Sequence, residues 1–180
     1  MSTPSAPAQA PALTAFEAAH FRRCLGEYVT GVTVITTVGP DGERYGLTAN
    51  SFSSLSLDPP LILWSLRLNA TNFSIYSQAT HFAVNILADH QVDVANRFAK
   101  SGPNRFDGID HALGADGMPL IAGSVAQLEC VLDASHPGGD HLIFIGRVQR
   151  LHHIGHHSGD LPLAFRGGRY MALQAHPGAA

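Results

Sequence analysis

Short stretches that alternate apolar and polar residues, or are rich in β-branched residues, recur along this chain. The clearest is AQLECVLD (126–133), in which Ala, Leu, Cys and Leu occupy every second position. This period of two is typical of a strand with one face in the core, whereas apolar residues of a surface helix recur every three to four positions. The pattern predicts a half-buried strand, with Gln127, Glu129, Val131 and Asp133 on its other face.

The other predicted strands are separated by residues that favour turns. They are TGVTVITTV (30–38), YGLTANSF (45–52), PPLILWSL (59–66), HFAVNIL (81–87), HLIFIGRVQRL (141–151) and PLAFRGGRYMAL (162–173), the last with a bend expected at its two glycines. The residues GPDGER between the first two predict a hairpin. Mostly antiparallel strands with only short helices favour a barrel over a doubly wound parallel sheet.

Short helices are predicted before and between these strands. The first begins with a capping box of Thr14 and Glu17, and its apolar face contains Phe21, Cys24, Leu25 and Tyr28. A second reaches Gln78 from an N-cap at Asn69, Thr71 or Asn72, and a third is capped by Asp89 and passes through Val92, Ala95 and Phe98.

Composition defines the domain and excludes several functions. Residues 1–12 are rich in Pro, Ala and Ser, so we expect a disordered segment, then one domain at 13–174 and a flexible tail at 175–180. The net charge of −3 includes no basic stripe, which disfavours nucleic acid and polybasic membrane attachment. Without an apolar span or a signal peptide, a cytoplasmic protein is expected. We interpret Cys24 and Cys130 as small buried hydrophobic residues, not nucleophiles.

No Rossmann, P-loop or nucleophile-elbow motif occurs, but polar residues cluster in GLTANSFSSLSLDPP (46–60). Burying a hydroxyl or amide group in the core costs free energy unless the group forms a hydrogen bond. These polar residues predict a groove lined by this segment. The alternative is that they form the wet face and turn of a half-exposed strand.

A second polar cluster, SLRLNATNFS (65–74), lies between a strand and a helix start. Unpaired amides at a helix start attract anions, and Arg67 can add a charge-assisted contact, so this is a candidate phosphate site. The alternative is that Asn69 or Thr71 is an ordinary N-cap. A polar strand followed by an anion site fits a phosphorylated heteroaromatic cofactor.

Histidines occur at two further positions of interest. In GGDHLIFIG (138–146), His141 stands where a turn becomes a strand, either at the mouth of a site or simply as the first polar residue of the strand. HHIGHH (152–157) contains histidines four apart, which a helix could use to bind a metal. Gly155 disfavours that helix, so we predict a solvated loop and no metal site.

The chain resembles the short-chain flavin reductases in FRRCLGEYVTGVTVITT, GLTANSFSSLSLDPPLILWS, FAVNIL, ANRFA, GGDHLIFIGRV and PLAFRGGRY, in the family's order and spacing. The resemblance implies a mainly β fold, the FMN-binding split barrel, which is Greek-key and mostly antiparallel with short flanking helices. It also implies a homodimeric NAD(P)H:flavin oxidoreductase that passes hydride from NADH or NADPH to FMN or FAD and supplies a flavin-dependent monooxygenase. The alternative is a non-catalytic protein that binds or stores flavin.

The resemblance also assigns site residues. It implies isoalloxazine contacts at Thr48, Ala49, Asn50, Ser51 and Ser53, and phosphate contacts at Ser65, Arg67, Asn69 and Thr71, with Asn85 and Arg97 nearby or reaching from a dimer mate. His141 corresponds to the nicotinamide-side histidine, which we assign to positioning the nicotinamide rather than to proton transfer. The C-terminal aromatic motif corresponds to Phe165, Arg166 and Tyr170.

Overall fold

The structure of the protein is a computed structural model that describes residues 15–102, 104–154 and 159–174, without the side chains of residues 15 and 16. The capping residue Thr14, both predicted terminal segments, and the His156 and His157 of the histidine cluster lie outside these residues. No described helix is long and apolar enough to cross a membrane.

Helices and strands follow in an order close to the predicted one. The helices are α1 (Ala15–Gly26), α2 (Phe73–Gln78) and α3 (Val92–Ala99). The strands are β1 (Thr30–Gly31), β2 (Thr33–Val38), β3 (Arg44–Ala49), β4 (Ser53–Leu57), β5 (Pro60–Arg67), β6 (His81–Ile86), β7 (His111–Leu113), β8 (Pro119–Ile121), β9 (Ala126–Gly138), β10 (His141–His153), β11 (Ala164–Arg166) and β12 (Arg169–Met171).

Seven strands form the main sheet, in the order β3-β2-β6-β9-β10-β5-β4, and every neighbouring pair is antiparallel. Its edge strands β3 and β4 are consecutive in the chain and are joined only by residues 50–52. So short a link spans at most about 14 Å, so the sheet must coil until its two edges come close together. The predicted mainly β, antiparallel fold is confirmed. Among the described residues no backbone ladder joins β3 to β4.

Aromatic side chains fill the core inside this coiled sheet. Trp64 on β5 is fully buried and stacks on Phe144 of β10, with ring centroids 4.4 Å apart. Tyr76 and Phe82 meet the same indole edge-on. The alternation of β5 that buries Ile62, Trp64 and Leu66 leaves Ser65 and Arg67 on the other face.

Strand β9 is buried on both faces at its start, so the predicted wet face is wrong there. Glu129 is only 2% exposed and its carboxylate accepts a 2.8 Å hydrogen bond from the Ala115 amide. His152 Nε2 lies 3.0 Å from the same carboxylate. The segment around the β7–β8 hairpin covers this face, which the alternation of β9 alone does not reveal.

The cysteines differ from one another. Cys130 is buried, as predicted, and burial raises the pKa of its thiol to about 12, which leaves it protonated and unreactive near neutral pH. Cys24 is exposed on α1, so the prediction that it is buried is wrong. The face of α1 with Phe21 and Leu25 is also exposed, at 56% and 58%, because none of the described residues packs over it.

Three local predictions also need correction. Residues 53–57 do not line the predicted groove but form the exposed strand β4, which pairs with β5. Helix α3 is preceded by Gln91 rather than capped by Asp89, and the Gln91 side-chain oxygen accepts from the Ala88 amide. Helix α2 begins after Asn72, whose side chain makes no capping hydrogen bond.

The C-terminal segment is a hairpin rather than one bent strand. Gly167 and Gly168 have φ values of 57° and 83°, which suit the two central residues of a tight hairpin turn. Strand β11 also pairs with β1, so β1, β11 and β12 form a separate three-stranded sheet.

Candidate functional site

A cavity of about 580 Å³ lies where the two edges of the main sheet approach each other. Its walls come from the end of β3, the end of β5, the residues just before α2, the end of α3 with the loop after it, and the start of β10. It brings together nine of the predicted site residues: Thr48, Ala49, Asn50, Ser51, Ser65, Arg67, Asn69, Thr71 and His141.

The charged side chains that line the cavity are positive. Arg67, Lys100 and Arg105 line it, and none of the Asp or Glu residues that the structure describes does so. This contrasts with the net charge of −3 for the whole chain. The nearest carboxylate partner of a lining cation is Asp140, whose Oδ2 lies 3.7 Å from an Arg67 guanidinium nitrogen. The cavity therefore favours an anionic ligand.

A side chain in the link between β3 and β4 is hydrogen-bonded to β5 beside the cavity. The Ser51 hydroxyl accepts from the Ser65 amide and donates to the Ser65 carbonyl, both at 3.0 Å. The neighbouring Thr48 hydroxyl donates to the Ala95 carbonyl at 2.7 Å and ties β3 to α3. Both hydroxyls therefore hold the wall in shape, while the side chain of Asn50 between them makes no hydrogen bond within the described residues.

The opposite wall contains amides that are free for a ligand. Asn69 and Asn72 make no side-chain hydrogen bond to any residue that the structure describes. The Thr71 hydroxyl lies 3.2 Å from that of Ser101, which joins the start of α2 to the loop after α3. An N-cap role for Asn69 or Thr71 is thereby disfavoured.

His141 is held at the cavity mouth by its neighbour. Its Nδ1 lies 2.7 Å from the Asp140 carboxylate, and the backbone of His141 is paired with that of Arg67 across β5 and β10. The hydrogen bond with His141 is the main cause that lowers the pKa of Asp140, and the charges of His141 and, least of all, Arg67 lower it further. With Nδ1 engaged, Nε2 is the ring nitrogen left for a ligand.

The backbone before His141 is fixed independently of its side chain. Gly139 has a φ of 63°, which a glycine adopts without strain, and the Leu68 amide donates to the Asp140 carbonyl at 3.0 Å. The turn therefore needs its glycine and its backbone hydrogen bonds rather than the imidazole, which favours a functional role for His141.

Sequence reasoning missed the loop after α3, which adds Lys100, Ser101 and Arg105 to the cavity. Arg105 donates to the Gly46 carbonyl at 2.7 Å and to the Gly102 carbonyl at 3.2 Å, which pins the loop to β3. Lys100 has no ion-pair partner among the described residues. The available signal was two cations within a glycine- and proline-containing loop directly after a helix.

Asn85 does not line the cavity, which corrects its prediction as a cofactor contact. It is fully buried, its amide nitrogen donates to Val34 and Thr36, and its oxygen accepts from the Ile121 amide. Every hydrogen-bonding atom of this side chain is thus used to join β6, β2 and β8.

The remaining predicted residues lie elsewhere. Ser53 is exposed on β4, where its hydroxyl donates to Ser54, and Arg97 is exposed on α3. Tyr170 lies against Asn96, with 3.2 Å between hydroxyl and amide oxygens. Phe165 and Arg166 line a second cavity of about 780 Å³ beside α1, which meets the first cavity at Asn50.

The first cavity fits a mononucleotide portion of a flavin. Its volume is in the usual range for small-molecule sites, its cations suit a phosphate, and its free amides can bind a polar ring edge. Of the described residues, no group of three or more His, Cys, Asp and Glu side chains could hold a metal ion. Histidines 152 and 153 of the sequence cluster lie on strand β10, not on a helix.

Comparisons with known proteins agree with this chemistry. A family model described as a flavin reductase like domain matches residues 25–174. The chain is 43% identical over 150 residues to the FMN reductase (NADH) SmoA of Agrobacterium fabrum, covering 83% of each protein. It is 37% identical to the reductase subunit HsaB of a flavin-dependent monooxygenase from Rhodococcus jostii, covering 92% of this chain and 83% of HsaB.

Comparison with a solved structure shows that the fold is also similar. The NADH:FAD oxidoreductase SgcE6 of Streptomyces globisporus, in complex with NAD and FAD fragments, is 37% identical and superposes with a TM-score of 0.82. The superposition covers 95% of this chain and 100% of SgcE6.

Proposed function

Because this chain belongs to the family of flavin reductase-like domains, we propose that its cationic cavity binds the flavin of an NAD(P)H:flavin oxidoreductase. The protein is an NAD(P)H-dependent flavin reductase that supplies reduced flavin to a partner monooxygenase. NADH is the proposed donor, since the names of SmoA and SgcE6 both specify NADH, and FMN or FAD is the acceptor.

One observation carries the assignment of the site. Of the residues that the structure describes, three cations and no carboxylate line a cavity at the open seam of the sheet, next to free amides and His141. Lys100 and Arg105 would hold the flavin phosphate, with Asn69 and Asn72 as further hydrogen-bond donors. Asn50 and the backbone around it would bind the polar edge of the ring.

A bound flavin supplies the hydride acceptor and the nicotinamide supplies the donor, so no side chain needs to act as a nucleophile. The protein's task is to place the two rings against each other and to exclude water from between them. Asn50 is proposed to donate to the flavin edge, where negative charge increases on reduction. Ser51 keeps this wall in place through Ser65.

His141 is proposed to orient the nicotinamide. Asp140 holds its Nδ1, which fixes the plane of the ring and directs Nε2 to the ligand. Asp140 is itself exposed and bordered by Arg67, so it acts as a positioning residue rather than as an acid or base.

A flavin-dependent NADH oxidation assay tests the proposed function. We expect purified protein with added FMN or FAD to oxidise NADH well above the rate of flavin alone. A protein that binds flavin without raising this rate would instead be the non-catalytic flavin carrier. Comparing NADPH under the same conditions identifies the preferred donor.

His141→Ala is expected to raise KM for NADH and to lower kcat/KM about five- to thirtyfold, with little change in flavin affinity. The loss of one positional hydrogen bond costs about 1 to 2 kcal/mol. Steady-state kinetics and a thermal melt should be measured on the same preparation. A lower Tm with unchanged kinetics for NADH would assign this histidine to the turn alone.

A homodimer in the cytoplasm completes the proposal. The exposed apolar side chains of α1, such as Phe21, Leu25 and Tyr28, favour burial against a second copy. Free thiols such as that of Cys24 persist in a reducing compartment. Sedimentation at micromolar concentration is expected to show a dimer, and a Phe21→Ser/Leu25→Ser variant should shift it toward monomer. A monomeric wild-type protein would contradict this part.

A further inference from the structure

The second cavity, between α1 and the β11–β12 hairpin, is chemically distinct from the first. Its volume is about 780 Å³, and Arg22, Arg23 and Arg166 line it together with a single carboxylate, Glu27. Glu27 forms an ion pair with Arg166. Neither Arg22 nor Arg23 makes a hydrogen bond or ion pair with any part of the chain that the structure describes, so two positive charges remain uncompensated.

The arginines are placed on the cavity by the period of α1. Ala19, Arg22, Arg23 and Gly26 recur at i, i+3, i+4 and i+7 and therefore share one face of the helix, which borders the cavity. Phe21 and Cys24 point away from that face. Leu25 and Tyr28, which belong to the exposed apolar surface of α1, also line the cavity, so a second copy packed on them would border the ligand.

The cavity also offers flat apolar surface. Phe165 and Tyr28 line it, and Tyr28 is 77% exposed. Aromatic side chains next to unpaired arginines suit a ligand that combines a planar ring with phosphate groups. Since Asn50 lines both cavities, a ligand in the second cavity touches the wall of the flavin cavity.

We infer that the second cavity binds a nucleoside diphosphate, the ADP half of NADH or of FAD, with Arg22 and Arg23 contacting its phosphates. This inference rests on the proposed function for the identity of the dinucleotide. The sequence contains no Rossmann fingerprint that would bind these phosphates in another way. The two parts of an extended dinucleotide would then lie on either side of Asn50.

Titration calorimetry with ADP as the probe tests the site directly. We expect Arg22→Ala/Arg23→Ala to weaken ADP binding about tenfold at low salt, since charge-assisted contacts at exposed side chains are partly screened by solvent. FMN affinity should be unchanged. Alanine favours helix formation, so α1 should still form. Arg44→Ala is the matched control, because Arg44 is exposed on β3 and lines neither cavity.

Two further measurements show whether the site binds the ADP group of NADH or that of FAD. A raised KM for NADH with FMN as acceptor assigns the site to NADH, and a weakened affinity for FAD relative to FMN assigns it to FAD. Wild-type protein that does not bind millimolar ADP, or a double variant that binds it equally well, overturns the inference. The inference is also overturned if the double variant loses ADP binding but keeps both its KM for NADH and its affinity for FAD relative to FMN.

These results are separable from the proposed function. A wild-type protein that oxidises NADH while the double variant behaves identically refutes only the second cavity. A wild-type protein that binds ADP through the two arginines but does not oxidise NADH refutes only the reductase activity.

Discussion

Removing the two positive charges of the loop after α3, with Lys100→Ala and Arg105→Gln, is expected to weaken FMN binding about 30- to 150-fold. Each charge-assisted contact to a phosphate contributes about 1 to 1.5 kcal/mol, and the two are lost together. Glutamine keeps an N–H that can donate to the Gly46 carbonyl, as Arg105 does. Quenching of flavin fluorescence at low ionic strength measures the change.

The neutral pair Asn69→Ala/Thr71→Ala is the comparison. These residues line the same cavity without charge, so their loss should weaken FMN binding about tenfold, with little dependence on salt. The loss of FMN affinity caused by Lys100→Ala/Arg105→Gln should become much smaller as salt rises, because salt screens the charge interactions that this variant lacks. Unchanged FMN affinity in a folded Lys100→Ala/Arg105→Gln variant would place the phosphate away from this loop.

The strands were predictable from sequence because their patterns are local. The β-branched run of β2 and the alternation of β9 directly predict extended structure, and glycine and proline mark their ends. Strand β4 was missed because SSLSL contains three serines, which also fit a groove or a turn. It forms a strand because β5 lies next to it in a hairpin, and a neighbour of this kind is a tertiary feature.

Site residues were predictable where they are close in sequence and unpredictable where folding brings them together. Thr48 to Ser51 and Ser65 to Thr71 are continuous polar segments, and the family resemblance identified them. Lys100 and Arg105 reach the cavity only because α3 packs on β3, about fifty residues earlier in the chain. Their local sequence shows two cations in a glycine- and proline-containing loop, but it does not show that this loop packs against β3.

Asn85 shows the opposite error. The family resemblance implied that Asn85 lies near the flavin phosphate or reaches it from a dimer mate. An amide in the middle of an apolar strand is costly to bury without partners. The partners exist, but they come from β2 and β8, which the sequence of β6 cannot reveal.

Trp64→Ala is expected to destabilise the protein by about 3 to 5 kcal/mol, lowering Tm by roughly 6 to 20 °C. The indole is fully buried and contacts Tyr76, Phe82 and Phe144, so its removal leaves a large void at the centre of the core. Scanning calorimetry of the flavin-free protein measures the effect.

Trp64→Phe is the matched control. The indole N–H has no hydrogen-bond partner among the described residues, so phenylalanine removes an unsatisfied buried donor while keeping most of the packing. We expect a loss of about 1 to 2 kcal/mol. Equal losses in both variants would show that the stack on Phe144 is not what stabilises this region.

The hydroxyl of Ser51, in the short link between the edge strands β3 and β4, is hydrogen-bonded to the backbone of Ser65 on β5, and among the described residues no backbone ladder joins β3 to β4. A flavin bound beside this link would contact β3 and β5 together. Because it binds only the folded form, it raises the protein's free energy of unfolding by about 2.7 kcal/mol when its concentration is a hundredfold above Kd. A protein that hands its flavin to another enzyme gives up this protection at every delivery. Its lifetime against proteases would therefore follow the cellular supply of flavin.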